Sequence, residues 1–519
     1  MLIKIYSATP VGINAVMVTI EVHSVPGFDF TLVGLPDNAV KESHDRIMAA
    51  LTVNGFELHH RDYTINMAPA DIKKEGSAFD LPLAIGVLAG SEQVKTKHLD
   101  RYMIMGELSL DGSLQPIRGA LPIALCAREA GFKGLILPAA NAAEAAVTEG
   151  LEVYGANTLL EVVRFLNEEC AMEPTRVDTQ ALFEQLAFTS DADFSDVRGQ
   201  YKVRRAIEVA AAGGHNMLMV GVPGAGKSMI AKRLPSILPP LTLEEALETT
   251  KIHSVAGLMN KRNAENASLI VQRPFRSPHH TITDVALVGG GGTNPHPGEI
   301  SLAHNGVLFL DELPEYKRST LEVMRQPLED RHITVARTKT TVDYPASFML
   351  VAAMNPCPCG HYGENNPARP CTCTPAQIHR YLGKISGPLL DRIDIQCEIE
   401  AVPYDQLRDT TPGESSAVMR ERVLKARAIQ SQRFADSKLV HCNAMMSSKM
   451  VRQYCALDAE CDKLLELTMT KLGLSARAYD RILKVSRTIA DLECSEQIQK
   501  RHLLEAISYR SLDRNTWAL

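Results

Sequence analysis

A glycine-rich loop between an apolar segment and a helix-compatible segment constrains the fold of this chain more than any other feature. The segment before the loop, Met217-Leu-Met-Val220, is continuously apolar, and residues 229–234 continue as a helix. A strand, a loop of this composition and a helix in that order are the context that a phosphate-binding loop requires. The loop consists of Gly221, Val222, Pro223, Gly224, Ala225, Gly226, Lys227 and Ser228.

The residue types of this loop suit the triphosphate of ATP. Glycines let backbone N–H groups approach the phosphates, and the amino terminus of the following helix adds partial positive charge. We expect Lys227 to reach the β- and γ-phosphate oxygens and Ser228 to ligate Mg²⁺. The loop therefore predicts a site for ATP and Mg²⁺.

A second apolar segment, Val307-Leu-Phe-Leu310, ends in Asp311 and Glu312. We expect Asp311 to hold Mg²⁺ and Glu312 to orient and polarise the attacking water. A strand that ends in an acidic turn is common in isolation. Downstream of a phosphate-binding loop, it predicts ATP hydrolysis.

Three further residues are candidates for completing the site. Asn355 follows the apolar segment 348–353 and is placed to sense the γ-phosphate. Arg392 lies between two acids in 387–394, where it is either one member of a local ion pair or an arginine finger for a neighbouring subunit's ATP. Arg477 begins a helix that Ser475 is suited to cap, and it either touches the phosphates or is solvated.

The chain of 519 residues is too long for one hydrophobic core, and its patterns divide it into parts. Residues 1–168 mix strand and helix periodicities and predict an α+β domain, and the looser segment 169–193 around Pro174 predicts a linker. Residues 194–400 alternate apolar strands with helices and predict an α/β core with a parallel sheet. Residues 401–519 predict a helical lid.

Composition restricts where the chain is expected to work. Hydrophobic residues make up 45% and charged residues 22%, and no apolar run reaches the ~20 residues that cross a bilayer. The amino terminus does not resemble a secretory signal, so we expect a cytoplasmic protein without a membrane partner. The net charge of −6 argues against a uniformly basic surface for nucleic acid but permits a local basic stripe.

Several long motifs together resemble the ComM/YifB family of magnesium-chelatase-like AAA+ ATPases, and the resemblance covers nearly the whole chain. The motifs that carry it are residues 33–38 (Val-Gly-Leu-Pro-Asp-Asn), 273–280 (Arg-Pro-Phe-Arg-Ser-Pro-His-His), 289–292 (four glycines), 297–312 and 387–394.

This resemblance implies a homohexameric ring with ATP at the subunit interfaces. Arg392 would then act on the neighbouring subunit's ATP, and Arg477 would be a second sensor. The resemblance also implies DNA as the partner, with helicase activity that drives branch migration in recombination and natural transformation.

Two segments offer a route to DNA. Within the resemblance, residues 298–304 would belong to an insert in the helix before the second nucleotide motif, and residues 331–342 predict a β-hairpin. Arg337 and Lys339 have strand spacing and share one face of the hairpin, and Arg331 lies at its start. In a ring pore these residues would grip phosphates; the alternative is an exposed hairpin with solubilising charges.

Residues 105–120 and 131–138 resemble the proteolytic domain of Lon, which implies the fold of ribosomal protein S5 domain 2. A Lon protease needs a nucleophilic Ser and an activating Lys. Ala78 stands where the nucleophile is expected and Leu121 where the Lys is expected, with Ser77 one position early. We therefore predict a Lon-like domain without the catalytic dyad and without peptidase activity.

Four of the eleven cysteines are clustered, as Cys357, Cys359, Cys371 and Cys373. Four thiolates on a compact loop suit tetrahedral Zn²⁺ in a structural site, with His361 and His379 as spare ligands. The one-residue gaps are unusual, so reduced cysteines without a metal remain the alternative.

Two other functions stay open. The first alternative to a DNA motor is a motor subunit of a metal-inserting chelatase. The second is a nucleotide-gated scaffold that binds ATP without turnover. The front domain is foreign to the first, and the set of Lys227, Asp311, Glu312 and Arg392 argues against the second.

Overall fold

The computed structural model of the chain describes residues 2–57, 61–186, 192–259, 268–291, 295–336, 341–363, 369–401, 413–437 and 440–510. Within these ranges, no helix is long and apolar enough to cross a membrane.

The amino-terminal part is built on a seven-stranded mixed sheet with the strand order β3-β4-β2-β1-β5-β8-β9. Long antiparallel pairings join β1 to β2 and β2 to β4, and the other neighbours are parallel. The strands of this part, including the separate pair β6 and β7, are β1 Leu2–Val11, β2 Asn14–Pro26, β3 Phe30–Val33, β4 Arg61–Ala68, β5 Tyr102–Ile104, β6 Glu107–Leu108, β7 Leu114–Gln115, β8 Gly134–Pro138 and β9 Glu152–Ala156.

Six helices accompany this sheet, which confirms the predicted α+β class. The alternation predicted for β2 is present, since Val18, Ile20 and Val22 are fully buried in one core cluster. The helix α3 is buried along its whole length. The helices are α1 Asn38–Lys41, α2 Ser43–Val53, α3 Asp80–Gly90, α4 Ala120–Glu129, α5 Ala139–Ala145 and α6 Leu159–Leu166.

The predicted linker 169–193 contains a helix, α7 Thr179–Leu186. Leu182 and Phe183 of this helix pack against a small apolar cluster that includes Val147 of the amino-terminal part and Leu241 of the following part. The segment therefore contacts both neighbours and is more ordered than its sequence pattern predicted.

The central part contains a five-stranded parallel sheet with the strand order β11-β14-β17-β10-β18. Alternate residues of the inner strands β10, β14 and β17 enter two different core clusters; Met217 and Met219 of β10 face one, and Leu218 and Val220 face the other. Both faces of the sheet are therefore covered, as the continuous apolar runs predicted. The strands are β10 Met217–Gly221, β11 Phe275–Arg276, β14 Val307–Leu310, β17 Met349–Met354 and β18 Ile395–Ile399.

A short ribbon interrupts the helical segment that precedes β14. The strands β12 Gly289–Gly290 and β13 His296–Pro297 pair antiparallel between the helices α11 Asp284–Val288 and α12 Glu299–Leu302. The interruption is thus this ribbon, and residues 298–304, which we expected to belong to the insert, mostly form α12.

The remaining elements of the central part connect these strands. A separate hairpin is formed by β15 His332–Ala336 and β16 Thr341–Pro345. The helices are α8 Tyr201–Gly213, α9 Lys227–Arg233, α10 Leu243–Val255, α13 Arg318–Glu322, α14 Arg325–Asp330, α15 Pro375–Leu382 and α16 Gly387–Leu390.

Helices are the only regular elements of the carboxyl-terminal part within the described residues 413–437 and 440–510, as predicted. Its helix α20 buries Ile482, Val485 and Ile489 in the same cluster as α8 of the central part. The helices are α17 Ser416–Arg433, α18 Ser448–Tyr454, α19 Ala459–Leu472, α20 Ala476–Leu492 and α21 Lys500–Ser508.

Candidate nucleotide site

The phosphate-binding loop lies at the carboxyl end of β10, and α9 begins at its lysine. Lys227 is buried, and its Nζ donates to the carbonyl oxygens of Gly221 at 2.6 Å and Val222 at 3.0 Å. Burial lowers the pKa of Lys227, and the nearby carboxylates of Asp311 and Glu312 oppose that effect. The ammonium group is therefore held inside the loop.

Ser228 and Asp311 come together where the loop meets the end of β14. The Ser228 hydroxyl donates to Oδ2 of Asp311 at 2.5 Å. One hydroxyl and one carboxylate oxygen at adjacent positions are the protein ligands that Mg²⁺ uses beside a triphosphate. The donor set therefore fits the predicted metal.

Glu312 occupies a special backbone position directly after β14. Its φ is +51°, in the left-handed region, and its side chain is 56% exposed. One carboxylate oxygen, Oε2, lies 3.3 Å from Nδ1 of His280. A left-handed non-glycine residue is uncommon, so this backbone conformation marks Glu312 as a candidate functional residue.

His280 is a functional candidate that sequence reasoning did not single out. It follows β11, the strand beside β14, and its ring lies against His279 and Tyr316. His280 belongs to the run 273–280, which carried the family resemblance, and only the pairing of β11 with β14 brings it to Glu312.

Asn355 reaches the same site from the end of β17. Its side-chain oxygen lies 3.0 Å from Nζ of Lys227. Burial raises the pKa of the nearby Tyr381, and the backbone N–H of Asn355 opposes that effect. The structure thus brings Lys227, Ser228, Asp311, Glu312 and Asn355 together at one edge of the sheet.

Arg392 lies away from its own chain's phosphate-binding loop. Its guanidinium donates to Glu329 at 2.6 Å and to the carbonyl oxygens of Pro388 at 2.6 Å and Arg325 at 3.1 Å. It lines an open cleft of about 480 Å³ together with residues of α14. Both interpretations that the sequence left open persist: Arg392 has a local acidic partner and also borders a cleft.

Arg477 is exposed near the start of α20, and the Ser475 hydroxyl accepts from the backbone N–H of Ala478 at 3.2 Å, as expected for the cap. Arg481, one turn further along, pairs with Asp394. Although burial opposes ionisation, Arg481 and His215 keep the pKa of Asp394 below its usual range. The lid helix is therefore tied to the segment that carries Arg392.

The four predicted cysteines form one cluster directly after Asn355. Their sulfur atoms lie within 4.8 Å of one another. Cys357 Sγ lies 3.3 Å from that of Cys359 and 3.7 Å from that of Cys371, and Cys359 Sγ lies 3.5 Å from that of Cys371. Sulfurs bound to one tetrahedral zinc at ~2.3 Å are separated by roughly 3.7 Å, so the four thiols fit Zn²⁺. The group contains the four cysteines, without the spare candidates His361 and His379.

Hydrogen bonding and burial act in opposite directions on the thiols of this cluster. The backbone N–H of His361, together with that of Thr372, lowers the pKa of the Cys359 thiol to about 5, whereas burial raises the pKa of Cys371 and Cys373. A metal-binding cysteine must be deprotonated, so Cys359 is the thiol whose surroundings already suit a ligand.

The hairpin predicted for residues 331–342 is present as β15 and β16, in register from His332 opposite Pro345 to Ala336 opposite Thr341. Arg331 lies at its base with a left-handed backbone, and its guanidinium donates to the Phe348 carbonyl at 3.2 Å. Arg337 and Lys339 lie outside the described residues. The DNA contacts proposed for these three residues therefore stay predictions.

The positions aligned with the Lon dyad carry apolar side chains in the fold. Leu121 is fully buried, and its backbone N–H donates to Glu144 at 3.0 Å. Ala78 packs against the core, and the neighbouring Ser77 hydroxyl donates to Glu107. The structure pairs Ser77 with a carboxylate.

Comparison with known proteins matches three consecutive parts of the chain to models of one protein type. "Magnesium chelatase, subunit ChlI" matches residues 193–407, "Subunit ChlI of Mg-chelatase" matches 20–141, and the ChlI carboxyl-terminal model matches 413–510. The front domain, which we expected to be foreign to a chelatase subunit, therefore also matches a model of that name.

Full-length relatives agree with these models. The chain is 46% identical to the competence protein ComM of Haemophilus influenzae and 46% identical to the uncharacterized protein YifB of Escherichia coli, covering 98% of this chain and 97% of each relative. It is also 28% identical to Lon protease 2 of Bacillus subtilis over 24% of this chain and 22% of that protein.

Proposed function

The chain belongs to the ComM/YifB family of magnesium-chelatase-like AAA+ ATPases, and on this premise we propose that it is a cytoplasmic, ATP-driven DNA motor. It acts as a homohexameric helicase that hydrolyses ATP at subunit interfaces and promotes branch migration in recombination and natural transformation. The observation that carries the proposal is the hydrogen-bonded set of Lys227, Asn355, Ser228 and Asp311 at the carboxyl edge of the parallel sheet.

Each residue of this set has a role in phosphoryl transfer to water. Lys227 contacts the β- and γ-phosphate oxygens, and Ser228 and Asp311 hold Mg²⁺. Glu312 positions the attacking water, and its contact with His280 provides a resting position for the carboxylate. Asn355 touches Lys227, so it is placed to respond to the γ-phosphate.

Arg392 and Arg477 complete the site from outside the phosphate-binding loop. Arg392 serves the neighbouring subunit's ATP, which requires that it leave its contact with Glu329 when the ring assembles. The pair of Arg481 and Asp394 supports a coupled movement, because it connects the lid helix carrying Arg477 to the segment carrying Arg392.

The hairpin of β15 and β16 carries the proposed DNA contacts. Arg337 and Lys339 lie in the sequence between Ala336 and Thr341, the residues at which the two strands end and begin. Six copies in a ring pore would present these cations to successive phosphates, with little dependence on sequence. One relative is named a competence protein, which is consistent with work on DNA.

The cysteine cluster is proposed as a structural Zn²⁺ site. Cys357, Cys359, Cys371 and Cys373 would supply four thiolates, which is a closed tetrahedral set. Such a site would hold together the two ends of the segment between β17 and α15.

A synthetic four-way DNA junction tests the proposal. The wild-type chain should convert the junction to its branch products with ATP and Mg²⁺, and DNA should stimulate ATP hydrolysis. Lys227→Ala and Glu312→Gln should do neither. Brisk hydrolysis without strand movement would overturn the DNA function and leave an ATPase, such as a chelatase-type motor subunit. ATP binding without hydrolysis, with or without DNA, would favour the nucleotide-gated scaffold.

The amino-terminal domain is proposed to contact DNA or a partner protein rather than to cleave peptides. Casein incubated with the protein, ATP and Mg²⁺ should stay intact, and Ser77→Ala should behave like the wild type. Casein cleavage that ATP stimulates and Ser77→Ala abolishes would contradict this assignment.

A further inference from the structure

The cysteine loop lies directly against the phosphate-binding loop. Gly360 follows Cys359, its φ is +88°, and a Cβ placed on it would lie 2.6 Å from both Cγ and Cδ of Pro223. No side chain fits in that space, so the two backbones pack together through the proline ring. Pro223 is the third residue of the loop that ends at Lys227 and Ser228.

The cysteine loop also lies next to Asn355, the residue proposed to sense the nucleotide. Cys357 comes two residues after Asn355, and α15 begins two residues after Cys373. Tyr381 on α15 is buried, and its hydroxyl lies close enough to the backbone N–H of Asn355 for that group to act on its ionisation. The cysteine loop thus contacts the nucleotide site at Pro223, and the chain joins its two ends to Asn355 and to α15, which carries Tyr381.

We propose that the cysteine loop is a positioning element for ATP binding, so that zinc held by its four thiolates and nucleotide held by the phosphate-binding loop strengthen each other's binding. This inference rests on the proposed nucleotide and zinc sites and is independent of the proposed action on DNA. The coupling between zinc binding and nucleotide binding passes through Gly360, Pro223 and Tyr381.

The physical reason is the entropy of closing the loop between Cys359 and Cys371. The residues between Cys359 and Cys371 include glycine, proline and asparagine, and the described ones lie in turns and irregular structure. Joining the two ends of such a segment through four metal bonds removes many of its conformations. Gly360 and the backbone of Asn355 then have fixed positions before nucleotide arrives, which lowers the entropy cost of ordering the site.

Removal of zinc is the first test. The wild-type protein should contain one zinc per chain, and the Cys371→Ser/Cys373→Ser variant should contain little. Titration with a fluorescent ATP analogue, without DNA, should give a dissociation constant raised by about 5- to 150-fold in the variant, the usual range for coupled sites. A wild-type protein without zinc, or a zinc-free variant with wild-type nucleotide affinity, would overturn the inference.

A pair of glycine variants tests the contact itself, and it stays decisive if the cysteine variant does not fold. Gly360→Ala and Gly363→Ala both place an alanine at a positive φ in the same loop, at +88° and +80°. The Cβ at position 360 meets Pro223, whereas no atom lies within 4 Å of a Cβ at position 363. Both variants should keep zinc, and only Gly360→Ala should bind the ATP analogue more weakly. Equal affinities in the two variants would overturn the role of the Pro223 contact.

Reciprocity gives a readout that needs no catalysis. If zinc raises nucleotide affinity by a given factor, nucleotide must raise zinc affinity by the same factor. Competition against a coloured zinc chelator should therefore show tighter zinc binding by the wild type when ATPγS is present. Gly360→Ala should lose that difference and Gly363→Ala should keep it. An unchanged zinc affinity in saturating ATPγS would contradict the coupling, while the ATP site itself would stand.

Discussion

The Nζ of Lys227 lies 3.0 Å from the side-chain oxygen of Asn355, and this contact joins the phosphate-binding loop to the end of a neighbouring strand. The lysine that would meet the γ-phosphate is thus already in contact with the residue proposed to sense it. Nζ of Lys227 already donates to three oxygen atoms, those of Gly221, Val222 and Asn355, so a γ-phosphate that accepts from it must displace one of them. The nucleotide state can therefore be transmitted to β17 and to the cysteine loop that follows it.

Glu312→Gln should separate ATP binding from hydrolysis. The amide keeps the shape of the side chain but cannot accept a proton from the attacking water, so the hydrolysis rate should fall by about 10²- to 10⁴-fold. Affinity for an ATP analogue should be unchanged, since Lys227, Ser228 and Asp311 remain. The control is Glu315→Gln, which removes an exposed carboxylate paired with Lys384 in the same turn. A comparable fall in the control would contradict a specific role for Glu312.

Arg392→Ala should abolish hydrolysis while leaving nucleotide binding intact. An arginine finger contributes about 10³-fold or more to phosphoryl transfer, and Arg392 makes no contact with its own chain's phosphate-binding loop among the described residues. The structural control is Glu329→Gln, which removes the charged partner of Arg392 but keeps the arginine. This control should retain most of its hydrolysis rate.

Mixed rings distinguish an arginine finger from a merely structural arginine. Subunits carrying Arg392→Ala have an intact phosphate-binding loop, and subunits carrying Lys227→Ala have an intact arginine. Mixing two inactive proteins should therefore restore part of the hydrolysis, at interfaces where the two intact residues meet. A mixture that forms oligomers but stays inactive would contradict the action of Arg392 on a neighbouring subunit.

Local sequence patterns were sufficient to predict the strands and loops that form the nucleotide site. The apolar runs of β10, β14 and β17 identified buried parallel strands, and because carboxyl ends of parallel strands share one edge, Lys227, Asp311 and Asn355 were expected to meet. The cysteine cluster was also visible, since its four thiols are close in sequence. These predictions depended on residues near one another along the chain.

The features that sequence reasoning missed depend on contacts between distant segments. His280 meets Glu312 only because β11 pairs with β14, and nothing in the run 273–280 specifies that pairing. The contact of Gly360 with Pro223 joins two loops from different strands. The helix α7 lacks the long amphipathic pattern that predicts a helix, and it is held by packing on both neighbouring parts.

The hairpin between β15 and β16 should contribute to DNA affinity in a salt-dependent way. Replacing Arg337 and Lys339 with alanine should weaken binding to single-stranded and branched DNA of any sequence. The slope of log affinity against log salt concentration should fall by about one for each phosphate that the variant no longer neutralises. Fluorescence anisotropy at several salt concentrations measures both quantities.

The matched control for the hairpin is Lys500→Ala, which removes an exposed cation at the start of α21 that pairs with Glu460 of α19. It should leave the salt slope unchanged, because this lysine lies on the lid. If the slope of log affinity against log salt concentration is unchanged in the hairpin variant, the charges of the hairpin serve solubility and do not contact DNA. Normal hydrolysis in that variant without DNA would show that the motor itself is intact.

Glu144 makes the contact between the amino-terminal part and the ATPase part sensitive to pH. Its carboxylate oxygen Oε1 accepts from the Ser254 hydroxyl on α10 and from the backbone N–H of Leu121, and burial raises its pKa to about 7. Because the folded pKa lies above the unfolded value, the folded state binds more protons between the two values. Stability should therefore decline as the pH rises from about 4.5 to about 7 and change no further through this group above that range.

Glu144→Gln should remove this dependence, since the amide oxygen can accept the same hydrogen bonds and cannot ionise. Relative to the wild type, the variant should gain up to about 3 kcal/mol between pH 4.5 and pH 8, which is the difference between the folded and unfolded pKa values converted at about 1.36 kcal/mol per unit. Melting temperatures across this range measure the trend, with the exposed Glu149→Gln as the control that should follow the wild type. A Glu144→Gln curve parallel to the wild type at every pH would show that Glu144 is ionised in the folded protein. The buried hydroxyl of Ser254 and the backbone of Leu121 would then be holding a charge between the two parts, and Glu144→Gln would be destabilising at neutral pH.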